Sequence, residues 1–142
     1  AVIAFEQVPD SEVHRYGIAA PKNGSTEELF EVADLVEKPS RPEAPSNLAI
    51  AARYVLSPAV FDALSHTAPG KGGEIQLTDA LRALIRDGGR VYGVRLRPSE
   101  PRFDIGNFES YFRAFVQFAL ADPRFGASLR RSLEQWLDAS HS

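Results

Sequence analysis

Apolar positions along the chain fall into runs that suit strands and stripes that suit helices. Val2 to Val8 is mostly apolar and stops at Pro9-Asp10, which predicts a buried strand. Tyr16 to Ala20 predicts a second short strand, and Asn23-Gly24 within Pro21 to Thr26 marks a hairpin tip. Leu29 to Val36 returns as a strand and carries Glu37-Lys38-Pro39 to its C-terminal end. The prolines at 42 and 45 then require a loop. Asn47 to Leu56 predicts another strand, and Ser57-Pro58 supplies a cap and a first-turn proline for a helix striped by Val60, Phe61 and Leu64. After a glycine-rich connector over Ala68 to Gly73, Thr78 is placed to cap a helix with Leu81, Leu84 and Ile85 on one face. That helix stops at Gly88-Gly89, and Val91 to Leu96 predicts a further strand.

Beyond residue 104 the period changes. Phe108, Tyr111, Phe112, Phe115, Val116 and Ala119 follow the i, i+3, i+4, i+7, i+8 rule of an amphipathic helix, with Asn107 as its cap. Asp122-Pro123 separates it from a second helix striped by Leu129, Leu133, Trp136 and Leu137. Such stripes commonly build intramolecular core, with a partner chain as the alternative use. Interleaved strands and helices place the chain in the α/β class.

The chain has 142 residues, of which 44% are hydrophobic and 25% charged, enough for one compact domain with a core of its own. It contains no cysteine, which excludes disulfides, thiolate zinc sites and thiol nucleophiles and suits the reducing cytoplasm, where the protein is expected. A net charge of −3 lacks the basic footprint of a nucleic-acid binder. No apolar run approaches a membrane span, and no basic-then-apolar opening suggests a signal peptide. The chain opens directly on strand-like Ala1-Val2-Ile3-Ala4-Phe5 and has no methionine, which suits a processed or engineered chain, or one whose N-terminal portion has been left off.

Three polar segments are placed to carry chemistry. Glu37 and Lys38 sit side by side at a strand end, on opposite faces if the strand continues. Pro39 favours an extended Lys38. Such a pair suits a sugar phosphate, the carboxylate accepting from sugar hydroxyls and the ammonium neutralising phosphate; it equally suits an exposed charged pair before a turn. Asp104, in Arg102-Phe103-Asp104-Ile105-Gly106-Asn107, lies at a strand-to-helix junction where a carboxylate can hold Mg²⁺. Capping is the plainer role there for Asp104 and Asn107. Gly72 to Asp79 puts Glu74 and Gln76 in a loop able to line a carbohydrate site, or to serve only as a connector. Gly17 allows close backbone approach or marks a bulge. The three histidines have no ligand spacing, and neither a Gly-x-Ser-x-Gly elbow nor a Gly-x-Gly-x-x-Gly fingerprint occurs.

Taken in order, Val2-Ile3-Ala4, Arg15-Tyr16-Gly17-Ile18, Leu35-Val36-Glu37-Lys38-Pro39, Ala44-Pro45-Ser46-Asn47-Leu48-Ala49-Ile50, Arg53-Tyr54-Val55-Leu56, Gly73 to Ala80 and Phe103-Asp104-Ile105-Gly106 form one pattern. This ordered set resembles the second half of bacterial UTP–glucose-1-phosphate uridylyltransferase. The resemblance implies the C-terminal portion of a three-layer, Rossmann-like α/β nucleotidyltransferase fold, a mixed sheet with flanking helices. Residues 1–142 would be its sugar-phosphate-binding half, with a helical C-terminus over 107–138. It implies uridylyl transfer from UTP to glucose 1-phosphate with Mg²⁺ as cofactor, giving UDP-glucose and pyrophosphate.

Glu37 and Asn47 would bind the sugar, Lys38 its phosphate, and Gly17 the sugar through its backbone. Glu74 and Gln76 would lie near the pocket, and Asp104 would be one of two aspartates on the metal. Lys38 and Asp104 are the catalytic candidates. The UTP-gripping glycine-rich segment and the second metal aspartate belong to the family's N-terminal half, which is missing here, so the chain is expected to hold half a site and to be inactive alone. A sheet deprived of neighbouring strands is expected to leave an edge open to self-association, and hence to a homo-oligomer. Ala52 stands where the family usually has glycine, and its methyl group is expected either to crowd the sugar or to change specificity slightly. A thymidylyl-type nucleotidyltransferase and a non-catalytic sugar-phosphate-binding or oligomerisation module are the alternatives.

Overall fold

Each apolar run becomes a strand close to its expected bounds: β1 Val2–Gln7, β2 Gly17–Pro21, β3 Leu29–Glu37, β4 Leu48–Val55 and β5 Tyr92–Arg95. The helices are α1 Ala59–His66, α2 Leu77–Arg86, α3 Phe108–Ala121 and α4 Gly126–Ala139. These come from a computed structural model that describes residues 1–70, 73–100, 102–103 and 105–139. The chain divides into two compact units, Ala1–Pro101 and Arg102–Ser142, where the length alone suggested one domain.

In the first unit the strands run β1-β4-β2-β3-β5 and close into a ring. The sheet is mixed, as expected: β5 pairs parallel with β1 and antiparallel with β3, and the other pairings are antiparallel. Closure leaves no open edge among the described strands, contrary to the expectation from sequence, because β5 returns to satisfy β1 and β3 together. Asn23 (φ 56°) and Gly24 (φ 65°) take the left-handed conformation needed at the β2–β3 tip.

One large apolar cluster joins Ile3, Phe5, Ala19, Phe30, Val32, Leu35 and Ile50 of the strands to Val60 of α1 and Leu81 of α2. A smaller one, Val8, Val13, Ile18 and Ala49, lies beside the 3₁₀ turn Asp10–Arg15. No helix among the described residues is long and apolar enough to cross a membrane.

Two irregularities decide which residues face the larger cluster. Between β2 and β3, Ala20 pairs with Asp34 but Pro21 pairs with Val32, so Ala33 is an extra residue in β3. Because strand side chains alternate, one added residue reverses the parity of everything beyond it. Phe30 and Val32 are buried before the bulge and Leu35 after it, and Glu37 follows Leu35 on that face. A regular strand would have turned Glu37 to the opposite side.

The second irregularity lies between β1 and β4, where Ile3 pairs with Tyr54 and Phe5 with Ile50. Ala4 therefore faces three residues, and the middle one, Ala52, has φ 52°. The position where the resemblance calls for glycine is thus one where the backbone itself favours glycine.

In the second unit Asn107 caps α3 as expected, its Oδ1 accepting from Ser110 N–H at 2.9 Å. Asp122 ends α3 and its Oδ1 then accepts from the amides of Arg124 and Phe125 ahead of α4. The stripe expected to form core does not: Phe108, Tyr111, Phe112, Phe115 and Val116 are exposed, while Ala114 is buried on α3 and Gly126 on α4. At Gly126 the start of α4 lies against the Leu120 carbonyl at the end of α3, too close for any side chain.

Left-handed φ costs a non-glycine residue about 1–2 kcal/mol, against roughly 0.5–1 kcal/mol for glycine's extra unfolded-state freedom. Ala52→Gly should therefore raise stability by about 0.5–1 kcal/mol, read as a higher thermal midpoint. An unchanged or lowered midpoint would show that Ala52 is not strained.

Candidate functional site

The pairing of β2 with β3 ends with Gly17 opposite Glu37. A Cβ added at Gly17 would lie 2.8 Å from Ile50 Cδ1 and 3.0 Å from both Glu37 Oε2 and Thr78 Oγ1. Gly17 is buried, and a carboxylate, a hydroxyl and an apolar side chain pack directly against it, closer than any side chain at that position would allow. The Glu37 side chain is 13% exposed, low for a carboxylate. Thr78 is 7% exposed and is the buried polar residue among those described. Tyr54 also belongs to this neighbourhood: burial first, and then the negative charge of Glu37, push its phenol above the ordinary range.

Lys38 departs from expectation. Its φ is 45°, left-handed and not extended, so the strand ends at Glu37 and does not continue past it. The antiparallel partner gives out at Gly17, although the Lys38 amide still donates to the Tyr16 carbonyl at 2.9 Å. The turn brings Lys38 Nζ to 3.8 Å from Glu37 Oε1, so the two charges converge where opposite faces were expected. Lys38 and Ala52 are the positive-φ residues other than glycine and the hairpin Asn23, and each lies within two residues of Glu37 or Tyr54. Strain of this kind persists only where surrounding structure enforces it, and it gathers at functional sites.

The other candidates lie on other elements. Asn47 lines a separate hollow of about 390 Å³ with Asp10, Val13, Arg41, Ala44 and Ser46. Glu74 is exposed in the loop before α2, its carbonyl accepting from Gly70 N–H at 2.9 Å. Gln76 occupies the N-cap of α2 without a side-chain capping bond. Thr78, expected to be that cap, instead lies inside the first turn with its hydroxyl toward Gly17. Asp104 lies outside the described residues. Among the described residues no three His, Asp or Glu side chains converge to hold a metal ion.

A bidentate ion pair ties α2 to β3. Arg82 Nε donates to Asp34 Oδ1 and Nη2 to Asp34 Oδ2, each at 2.7 Å, and the Leu35 amide also donates to Asp34. Burial raises the Asp34 carboxyl, but the hydrogen bonds from Arg82 and Leu35 and the positive charges of Arg82 and Arg86 outweigh it and leave it below its ordinary 3.8. Sequence reading missed this pair because its partners are 48 residues apart.

A family model described as nucleotidyl transferase matches residues 1–120. A UTP–glucose-1-phosphate uridylyltransferase from Pseudomonas aeruginosa is 44% identical over 114 residues, 80% of this chain and 39% of that protein. One from Staphylococcus epidermidis is 39% identical over 137 residues, 95% of this chain and 46% of that protein. Among solved structures, a UDP-glucose pyrophosphorylase complexed with UDP-glucose matches with a TM-score of 0.74 and 39% identity over 82% of this chain and 43% of its own. A UTP-bound UGPase from Acinetobacter baumannii matches with a TM-score of 0.78 and 34% identity over 93% of this chain and 44% of its own. The chain therefore spans less than half the length of these relatives.

A depressed carboxyl contributes stability that is complete above its unfolded value and lost as pH falls through the lower folded value. The stability difference between wild type and Asp34→Asn, from urea unfolding, should be constant above about pH 5 and shrink in acid below the ordinary 3.8. A pH-independent difference would refute the pairing. Gly17→Ala should cost roughly 1–3 kcal/mol by crowding three side chains at once. Wild-type stability in that variant would mean that these side chains move aside without cost.

Proposed function

The chain belongs to the nucleotidyl transferase family, and from that premise we propose that its first unit is the sugar-phosphate side of a UTP–glucose-1-phosphate uridylyltransferase. One observation carries the reading: a carboxylate and an ammonium group converge at the end of β3, with Gly17 paired opposite the carboxylate. Glu37 accepts hydrogen bonds from glucose hydroxyls, Gly17 lets the ring approach the backbone, and Lys38 neutralises the phosphate. Its 3.8 Å separation from Glu37 leaves the ammonium close enough to share a ligand and too far for a tight ion pair.

In the reaction an oxygen of the glucose 1-phosphate phosphate forms a bond to the α-phosphorus of UTP as the bond to pyrophosphate breaks. UDP-glucose and pyrophosphate leave. Such chemistry asks mainly for positioning and charge neutralisation, which is what Lys38 and Glu37 are placed to give. The family resemblance assigns Mg²⁺ to Asp104, where it would neutralise phosphate charge. We place the UTP grip in the share of the relatives that this chain does not span, so the isolated chain binds sugar phosphate without turning it over. Base choice, uridylyl or thymidylyl, goes with that grip.

Asn47, Glu74 and Gln76 stay in the proposal as residues of the wider rim. The exposed aromatic stripe of α3 supports a homo-oligomer, and the absence of cysteine supports a cytoplasmic setting.

Calorimetric titration of the chain with glucose 1-phosphate should show binding without UTP. Lys38→Ala should weaken it by about 10–100-fold, the worth of a hydrogen bond to a charged group. Absence of binding by folded wild type, or unchanged affinity in Lys38→Ala, would refute the reading.

A further inference from the structure

Glu37 is an acceptor only when ionised, whereas neighbouring hydroxyls on a sugar present donors and acceptors together. Thr78 supplies what the carboxylate lacks, since a hydroxyl both donates and accepts. Its Oγ1 and Glu37 Oε2 stand at the same 3.0 Å from the point that a Gly17 Cβ would fill.

The position of that hydroxyl is fixed from further along α2. Thr78, Leu81 and Arg82 are spaced i, i+3 and i+4, so they share one face of the helix. Leu81 is fully buried in the main cluster, which sets how deeply the helix sits. Leu81 is an apolar contact and tolerates sliding; the two-pronged contact of Arg82 with Asp34 does not, because a planar fork must meet a planar carboxylate in one register. Asp34 follows the extra residue Ala33 directly and precedes Glu37 by three residues. The bulge that turns Glu37 toward Gly17 therefore also sets the anchor that holds the Thr78 hydroxyl at the same glycine.

We propose that Thr78 is a specificity-determining residue that reads, together with Glu37, one hydroxyl of the bound sugar, and that Asp34 and Arg82 are its positioning residues. The inference rests on the sugar-phosphate reading above. It differs from that reading in naming which protein hydroxyl selects the sugar and what keeps it in place. A site built to hydrogen-bond a substrate hydroxyl discriminates strongly against the analogue without it, because the protein group is then left unpaired.

The test is calorimetric titration of wild type, Thr78→Ser, Thr78→Val, Arg82→Ala and the Thr78→Val/Arg82→Ala double variant. The ligands are glucose 1-phosphate and its 2-, 3-, 4- and 6-deoxy analogues, and thermal unfolding confirms that each variant is folded. If Thr78→Val does not fold, Thr78→Ala takes its place. Thr78→Val should bind glucose 1-phosphate about 5–50-fold more weakly, the range of one hydrogen bond in a buried site, and Thr78→Ser should retain most of the affinity. One deoxy analogue should bind wild type and Thr78→Val equally. Arg82→Ala should weaken binding in the wild-type background and have little further effect on Thr78→Val, a non-additivity that general destabilisation does not produce.

Equal affinity of Thr78→Val and wild type for glucose 1-phosphate overturns the assignment of Thr78. An Arg82→Ala effect that persists undiminished on Thr78→Val overturns the positioning role. Failure of folded wild type to bind glucose 1-phosphate at all is a different result: it removes the sugar-phosphate reading, and this inference falls with it.

Discussion

The antiparallel pairing of β2 with β3, with one extra residue at Ala33, is the constraint on which the candidate site depends. Strand parity is binary, so an added residue reverses faces rather than shifting them by a fraction. Before Ala33 the inward residues are Phe30 and Val32; after it they are Leu35 and then Glu37. The same offset sets Gly17 opposite Glu37 and puts Asp34 where Arg82 can grip it. A carboxylate facing an apolar cluster would ordinarily be costly. Here Oε1 faces the Lys38 ammonium at 3.8 Å and Oε2 lies toward Gly17 beside the Thr78 hydroxyl, so the carboxylate keeps a polar neighbourhood.

Around that carboxylate the backbone is held in conformations it would not choose. Lys38 and Ala52 both have left-handed φ, and each marks the place where a strand loses its regular partner. At Lys38 the consequence is convergence, since the chain turns and the ammonium group comes back toward Glu37. At Ala52 the burial of β4 changes, with residues 48–51 buried and 52–55 exposed. Tyr54 lies just beyond and senses the charge on Glu37. Lys38, the Tyr54 phenol and the buried Thr78 thus all lie close enough to Glu37 to share its surroundings.

Much of this was legible in the sequence. The apolar runs gave strand positions to within a residue or two, Asn23-Gly24 gave the hairpin, and Asn107 gave a cap. Glu37, Lys38 and Gly17 were picked out by position and by family resemblance, and the structure brings them together. What escaped depends on distant pairing. A bulge at Ala33 has no local signature, because alanine is compatible with either face. Thr78 has the sequence appearance of a helix cap and proves to pack its hydroxyl against Gly17 beside Glu37. The extended Lys38 expected from Pro39 was overridden by the turn at the end of β3, and the α3 stripe expected as core stays exposed while Ala114 is the buried residue of α3. Charge-pair partners 48 residues apart could not be read from periodicity at all.

The most direct measurement is a crystal structure of the chain soaked with glucose 1-phosphate. Density for the sugar ring is expected over Gly17, with hydroxyls on Glu37 and Thr78 and the phosphate on Lys38. Sugar phosphate seated instead in the hollow of Asp10, Arg41 and Asn47, with none on Glu37, Thr78 or Lys38, would contradict it.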